Sequence, residues 1–120
     1  IRLEDGTLIA NAELTLSPEL PKSYAFCSDT AYKSDLAALV AGVSCLYHEA
    51  TFLDNHQDLA VKTKHSTAKE AAKVAAEAKV GELILGHFSS RYSDLNEFIV
   101  QANTHFKNVS LAEDGKRFVF

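Results

Sequence analysis

Polar side chains that could bind a metal ion or transfer a proton stand at the ends of three apolar stretches of the sequence. Asp29 follows the first stretch. His48 and Glu49 follow the second, and His87 follows the third. A histidine can offer a neutral nitrogen to a metal ion or carry a proton near neutral pH, and a carboxylate can bind a cation through its oxygens. If the fold gathers these residues, they are candidates for a shared site.

Each of these residues also has a plainer interpretation. Asp29 with Thr30 could form a turn or cap the next helix. His48 and Glu49 could be a solvated strand end, and His87 could be a core histidine whose hydrogen bonds are satisfied. Taken singly, most of them favour the structural interpretation. A shared functional site is favoured only if the fold brings these side chains to the same place.

Two further residues join this group. His65 lies just before a predicted helix start at Thr67, so it either precedes a helix cap or enters the candidate site on a loop. Arg91 follows His87 by about one turn and could simply pair with Asp94. Both residues stay candidates at this point.

The elements that would position these residues alternate between short strands and helices. Apolar runs predict strands at 24–27, 43–47 and 82–88, with a helix at about 34–40 and a long loop after the second strand. Thr67 to Glu70 has the form of a capping box and predicts a helix that ends near Gly81. Its face of small residues predicts close packing on a sheet: Ala71, Ala72, Ala75, Ala76 and Ala78.

The end of the chain continues the alternation. Apolar residues at helical spacing predict a third amphipathic helix: Leu95, Phe98, Ile99, Ala102 and Phe106. Residues 109–120 predict a strand, a turn at Asp114–Gly115 and a last strand. This alternation predicts an α/β fold with a mainly parallel sheet, in which ligands gather at the carboxyl ends of the strands.

Composition limits the class of protein. The chain has 120 residues with 47% apolar content, which predicts one globular domain, with residues 1–22 as an extended arm or edge and 23–120 as a βαβαβα-ββ core. A net charge of −4 argues against a surface that binds nucleic acid everywhere. The sequence predicts a soluble cytoplasmic protein with no membrane span and no signal peptide, and with Cys27 and Cys45 reduced.

Four motifs occur in order across about two thirds of the chain: "CSDT" at 27–30, "YHEATF" at 47–52, "HST" at 65–67 and "GHFSSRY" at 86–92. Together they resemble the motifs of ribonuclease Z, the tRNA 3′-processing endonucleases of the metallo-β-lactamase fold. The resemblance implies the carboxy-terminal βα half of a four-layer αββα sandwich. It also implies a parent enzyme that removes the 3′ trailer from precursor tRNA.

The resemblance also implies roles for individual residues. Asp29 matches the carboxylate that bridges two zinc ions, and His87 matches a metal-binding histidine. Glu49 and His65 match an acid and a histidine that act together on the leaving group, and Arg91 would orient the site or a phosphate. The family's H-x-H-x-D-H signature is absent from the chain, so the remaining ligands would come from a missing amino-terminal half.

These expectations have consequences for the chain itself. It begins at Ile1 and contains no methionine, which predicts that it is not a complete translation product. Alone it is expected to be inactive and to expose a sheet face, and the resemblance implies a homodimer for the full enzyme. Two alternatives stay open: another hydrolase of the same fold that acts on a small phosphodiester or sulfate ester, and a non-catalytic α/β interaction module.

Overall fold

The computed structural model describes residues 21–120, and it forms one sheet of four parallel strands in the order β1-β2-β3-β4. The strands are β1 (Tyr24–Cys27), β2 (Cys45–Glu49), β3 (Glu82–Gly86) and β4 (Val109–Leu111). The register pairs Cys27 with His48, and His48 with Leu85. The carboxyl ends of the first three strands therefore lie at one edge of the sheet, and the predicted α/β class is confirmed.

The helices are α1 (Leu36–Leu39), α2 (Gln57–Thr63), α3 (Ala68–Ala78) and α4 (Asn96–Ala102), and a 3₁₀ turn at Asp54–His56 precedes α2. Each strand lies beside the strand that precedes it in the chain, so the connections between parallel strands all cross over in the same direction along the sheet. Because such crossovers are right-handed, their helices are placed on the same face. That face holds the core, which includes Leu46, Leu83, Leu85 and Phe98.

Helix α3 forms where the capping box predicts it. The Thr67 hydroxyl accepts a hydrogen bond from the Glu70 amide, and the Glu70 carboxylate accepts one from the Thr67 amide. The predicted alanine face is buried at Ala71, Ala72 and Ala75. Small side chains let the helix approach the sheet closely, so α3 holds the residues before its first turn against the strand ends.

The second face of the sheet is aromatic and partly open. Tyr24 and Phe26 of β1 are 50% and 63% exposed, although Phe26 stacks on Tyr47 with ring centroids 4.6 Å apart. At the end of the chain, Phe120 stacks on Tyr24 at 5.8 Å. A sheet with one apolar face packed on helices and an aromatic second face has the form expected of half of a sandwich.

Several predicted boundaries were wrong. Strand β2 begins at Cys45 and runs to Glu49, so His48 and Glu49 belong to the strand instead of following it. The predicted long loop after β2 contains the 3₁₀ turn and α2. Residues 114–115 form the predicted turn, but 116–120 form no strand.

The predicted arm at 1–22 lies outside the described residues except for its last two positions, and the domain limits stay predictions. Within the described part of the chain, no helix has the length and apolar character needed to cross a membrane.

Candidate functional site

Glu49, the last residue of β2, is the most heavily bonded side chain at the strand ends. It is fully buried, and its carboxylate accepts hydrogen bonds from four groups. The donors are the Thr30 amide at 2.6 Å, the Thr51 hydroxyl at 2.7 Å, His65 Nδ1 at 2.9 Å and the Ser66 amide at 3.0 Å. The solvated strand end proposed from sequence is therefore excluded for Glu49.

These donors decide the charge of Glu49. Burial alone would raise its pKa, but the hydrogen bonds from His65, Ser66, Thr51 and Thr30 outweigh burial and lower the pKa below its ordinary value. The carboxylate is therefore ionised at neutral pH. It holds Nδ1 of His65 as an N–H group, which leaves Nε2 as the nitrogen that can exchange a proton with a bound molecule.

Asp29 and His87 lie together beside this pair. Asp29 Oδ1 is 3.8 Å from Nε2 of His87, and the two side chains are 76% and 45% exposed. His87 is therefore not a core histidine. Both residues have left-handed backbone conformations, with φ of 50° and 62°, just past the ends of β1 and β3. Strained backbone of this kind is concentrated at functional sites, and it distinguishes these two residues from Lys64 and Lys79, whose left-handed conformations are ordinary helix caps.

The residues have the chemistry of a partial metal centre. Asp29, Glu49, His65 and His87 each offer one ligand atom, and these atoms lie within 4.8 Å of one another. The Glu49 carboxylate is occupied by its hydrogen-bond donors, and Nε2 of His65 is open to either a metal ion or a proton, so Asp29 and His87 stay the metal ligands predicted from the sequence resemblance. An oxygen and an imidazole nitrogen suit zinc, but a catalytic zinc site takes three protein ligands. The donor set fits a metal whose coordination is completed by other residues.

Arg91 lies next to the cluster without joining it. Its guanidinium carbon is 6.0 Å from the centroid of the Phe52 ring, and that ring is 6.4 Å from the imidazole of His65. Among the described residues, Arg91 forms no ion pair with Asp94. Its role in orienting the site or a phosphate stays a prediction.

The loop that carries His87 is anchored to the segment after β2. The Ser89 amide donates to the Thr51 carbonyl at 2.9 Å, and the Tyr92 hydroxyl accepts from the Leu53 amide at 3.0 Å. Tyr92 also lies 2.6 Å from Nδ1 of His56. These contacts explain how a short exposed loop can hold His87 in one position.

Sequence reasoning missed the residues that orient Glu49. Thr30, Thr51 and Ser66 lie inside the quoted motifs, but none was singled out as a site residue. Thr30 and Ser66 contribute backbone amides, which any residue except proline could supply. The sequence therefore contains no signal for them, whereas the Thr51 hydroxyl could have been noticed.

His48 is buried beside Glu49 and should make stability depend on pH. Its Nδ1 donates to the Glu49 carbonyl at 2.8 Å, and its Nε2 is buried without a partner among the described residues. Burial lowers the pKa of His48, against the raising effects of the bond to Glu49 and the charges of Glu49 and Glu70. The unfolded chain therefore takes up this proton first as pH falls, so stability is lost below the ordinary pKa of 6.5.

We expect the free energy of unfolding of the metal-free protein to decrease between pH 7 and pH 5, as measured by urea denaturation. His48→Asn should reduce that decrease, because an amide can still donate to the Glu49 carbonyl but does not titrate. His105→Asn, at an exposed position, is the matched control. Equal pH dependence in the unsubstituted protein and His48→Asn would contradict the prediction.

The chain is similar in sequence to curated proteins and similar in fold to solved structures. No protein-family model matches the chain. It is 47% identical over 116 residues to ribonuclease Z of Cytophaga hutchinsonii, a match that covers 96% of this chain and 37% of that protein. It is 42% identical over 113 residues to ribonuclease Z of Parabacteroides distasonis, covering 94% of this chain and 37% of that protein. The chain thus spans about 37% of the length of these curated relatives.

Two solved structures share its fold. The metallo-β-lactamase fold protein YhfI of Bacillus subtilis matches with a TM-score of 0.71 at 24% identity, over 76% of this chain and 37% of that one. Human tRNase Z, short form, matches with a TM-score of 0.54 at 34% identity, over 73% of this chain and 28% of that one. The chain is therefore a homologue of part of ribonuclease Z, with the metallo-β-lactamase fold.

Proposed function

We propose that the chain forms part of a zinc-dependent endoribonuclease that cuts the 3′ trailer from precursor tRNA and leaves a 3′-hydroxyl on the tRNA. The observation that carries the proposal is the buried, ionised Glu49 bonded to His65 beside the open pair Asp29 and His87. A phosphodiester hydrolase needs a metal centre and a proton donor for the leaving oxygen. Asp29 and His87 would supply part of the metal centre, and His65 with Glu49 would supply the proton donor.

Asp29 and His87 would hold zinc in the complete enzyme, with Asp29 able to reach two ions because a carboxylate has two oxygens. Two bound zinc ions would activate the attacking water and stabilise charge on the phosphate. His65 would donate the proton on Nε2 to the 3′ oxygen as the phosphorus–oxygen bond breaks. Glu49 would stabilise the positive imidazole before the transfer and keep its ring in the correct orientation.

The remaining zinc ligands would come from outside this chain. Because the chain spans about 37% of its curated relatives, we infer a longer polypeptide that contains it, called the parent protein below. The open aromatic face around Tyr24 and Phe26 is where the rest of the sandwich would pack. A homodimeric parent protein in the cytoplasm, and contact between Arg91 and a phosphate, remain proposals from the resemblance.

The test is cleavage of a precursor tRNA with a labelled 3′ trailer. The zinc-loaded parent protein should release the trailer in one cut and leave a 3′-hydroxyl end, and a chelator should abolish the reaction. The isolated chain of 120 residues should be inactive, because Asp29 and His87 are too few ligands. Zinc-dependent cleavage by the purified chain alone would show that the site is not shared with another segment.

Another hydrolase of the same fold is the second candidate, because the likeness to YhfI concerns the fold alone. Such an enzyme would use Asp29 and His87 on a small phosphodiester or sulfate ester, with less need for a proton donor. Cleavage of a small model diester by the parent protein without cleavage of precursor tRNA would favour it. A non-catalytic interaction module would cleave neither substrate.

A further inference from the structure

Thr51 connects the two halves of the candidate site. Its hydroxyl oxygen is 2.7 Å from Oε2 of Glu49 and 3.2 Å from Nδ1 of His87, and the side chain is 7% exposed. Glu49 belongs to the pair with His65, whereas His87 belongs to the pair with Asp29. Among the hydrogen bonds of the described residues, this hydroxyl is the side-chain link between the two pairs.

A hydroxyl has one proton to donate, and the neighbours decide where it goes. The Glu49 carboxylate already accepts from the amides of Thr30 and Ser66 and from His65, so it is an acceptor toward every other neighbour. At 2.7 Å, Thr51 must therefore donate to Glu49. The Thr51 hydroxyl oxygen then faces Nδ1 of His87 with a lone pair and can only accept. Nδ1 of His87 must therefore carry a hydrogen and donate it to Thr51.

We propose that Thr51 is a positioning residue that holds His87 in the Nδ1–H tautomer, so that Nε2 presents its lone pair toward Asp29. The inference rests on the proposed function, because that function assigns Nε2 of His87 to zinc. Nε2 of His87 and Oδ1 of Asp29 are 3.8 Å apart, which is too long for a hydrogen bond. In this tautomer both atoms are hydrogen-bond acceptors. Two facing acceptors favour a cation.

The backbone around Thr51 makes its hydroxyl a fixed reference point. The Thr51 amide donates to the Ser66 carbonyl at 3.0 Å, and its carbonyl accepts from the Ser89 amide at 2.9 Å. These bonds tie Thr51 to the segment after His65 and to the loop after His87. They do not involve the hydroxyl, so Thr51→Val can remove the hydroxyl while both backbone bonds remain.

The experiment compares Thr51→Val and Thr51→Ser in the parent protein, with Thr63→Val as a control that removes an exposed hydroxyl from α2. The first readout is the ¹⁵N chemical shift of the two His87 ring nitrogens in metal-free protein, which reports which nitrogen carries the proton. The second is the zinc dissociation constant, measured by competition with a chelator. Neither readout uses tRNA.

We expect the unsubstituted protein to show a protonated Nδ1, and Thr51→Val to show a mixture of tautomers with about 10- to 100-fold weaker zinc binding, the usual effect of losing a partner of a metal ligand. Thr51→Ser should restore both readouts, and Thr63→Val should change neither. An Nε2–H tautomer in the unsubstituted protein would overturn the proposal even if Thr51→Val failed to fold.

Unchanged tautomer and zinc affinity in Thr51→Val would also overturn it. If the parent protein fails to cleave precursor tRNA while Thr51→Val still shifts the tautomer, the proposed function fails and the role of Thr51 stands. If the parent protein cleaves precursor tRNA while Thr51→Val leaves both readouts unchanged, the proposed function stands and the role of Thr51 fails.

Discussion

Replacing His65 with alanine should reduce the turnover of precursor tRNA by the parent protein by about 10²- to 10⁴-fold, the range expected for loss of a general acid. The substitution removes the proposed proton donor to the leaving 3′ oxygen. It leaves Asp29 and His87 in place, so the zinc content should not change. Single-turnover cleavage at saturating enzyme, with metal analysis of the same samples, measures both quantities.

The controls for this prediction come from the geometry. Glu49→Gln should also reduce turnover, because an amide can no longer stabilise the positive imidazole of His65, although its oxygen can still accept a hydrogen bond. His105→Ala removes an exposed histidine beyond the end of α4 and should have no effect. A tRNA with a better leaving group at the scissile bond, such as a 3′-sulfur, should recover much of the rate of His65→Ala. Failure of that rescue would argue that His65 has another role.

Replacing Asp29 with alanine should abolish cleavage and weaken zinc binding by more than about 100-fold. Losing a metal ligand reduces zinc affinity more than losing a residue that only hydrogen-bonds to a ligand, which costs about 10- to 100-fold. Asp29 is 76% exposed and its carboxylate accepts no hydrogen bond from the described residues, so its removal leaves no buried partner unpaired, and the cost to stability is the backbone strain of alanine at a φ of 50°. The zinc dissociation constant and the cleavage rate should therefore change together. His87→Ala should behave in the same way.

The stability of these variants separates function from folding. Asp29 has a left-handed backbone, which asparagine also tolerates, so Asp29→Asn keeps the conformation while removing the charge. It should retain the unfolding midpoint of the metal-free protein but lose zinc binding. Asp58→Asn, on the exposed side of α2, is the matched control. If Asp29→Asn binds zinc as tightly as the unsubstituted protein, Asp29 is not a ligand.

The errors in the sequence prediction have physical causes. Strand β2 was placed too early because His48 and Glu49 are polar, and polar residues predict a strand end. Glu49 is buried because donors from two other segments, at Thr30 and at His65–Ser66, satisfy its carboxylate, which no local pattern encodes. Residues 116–120 have strand propensity, but Phe120 stacks on Tyr24 at the far edge of the sheet instead of joining β4.

The sequence alone predicts the α/β class, because hydrophobic periodicity and the Thr67 to Glu70 capping box are local signals that encode strands and helices directly. It also determined which residue types meet at the strand ends, since parallel strands bring their carboxyl ends to one edge. How those residues are paired depends on the tertiary structure. The bonds from Glu49 to His65 and from Thr51 to His87 join residues 16 and 36 positions apart, and such contacts form only when packing brings their backbones together.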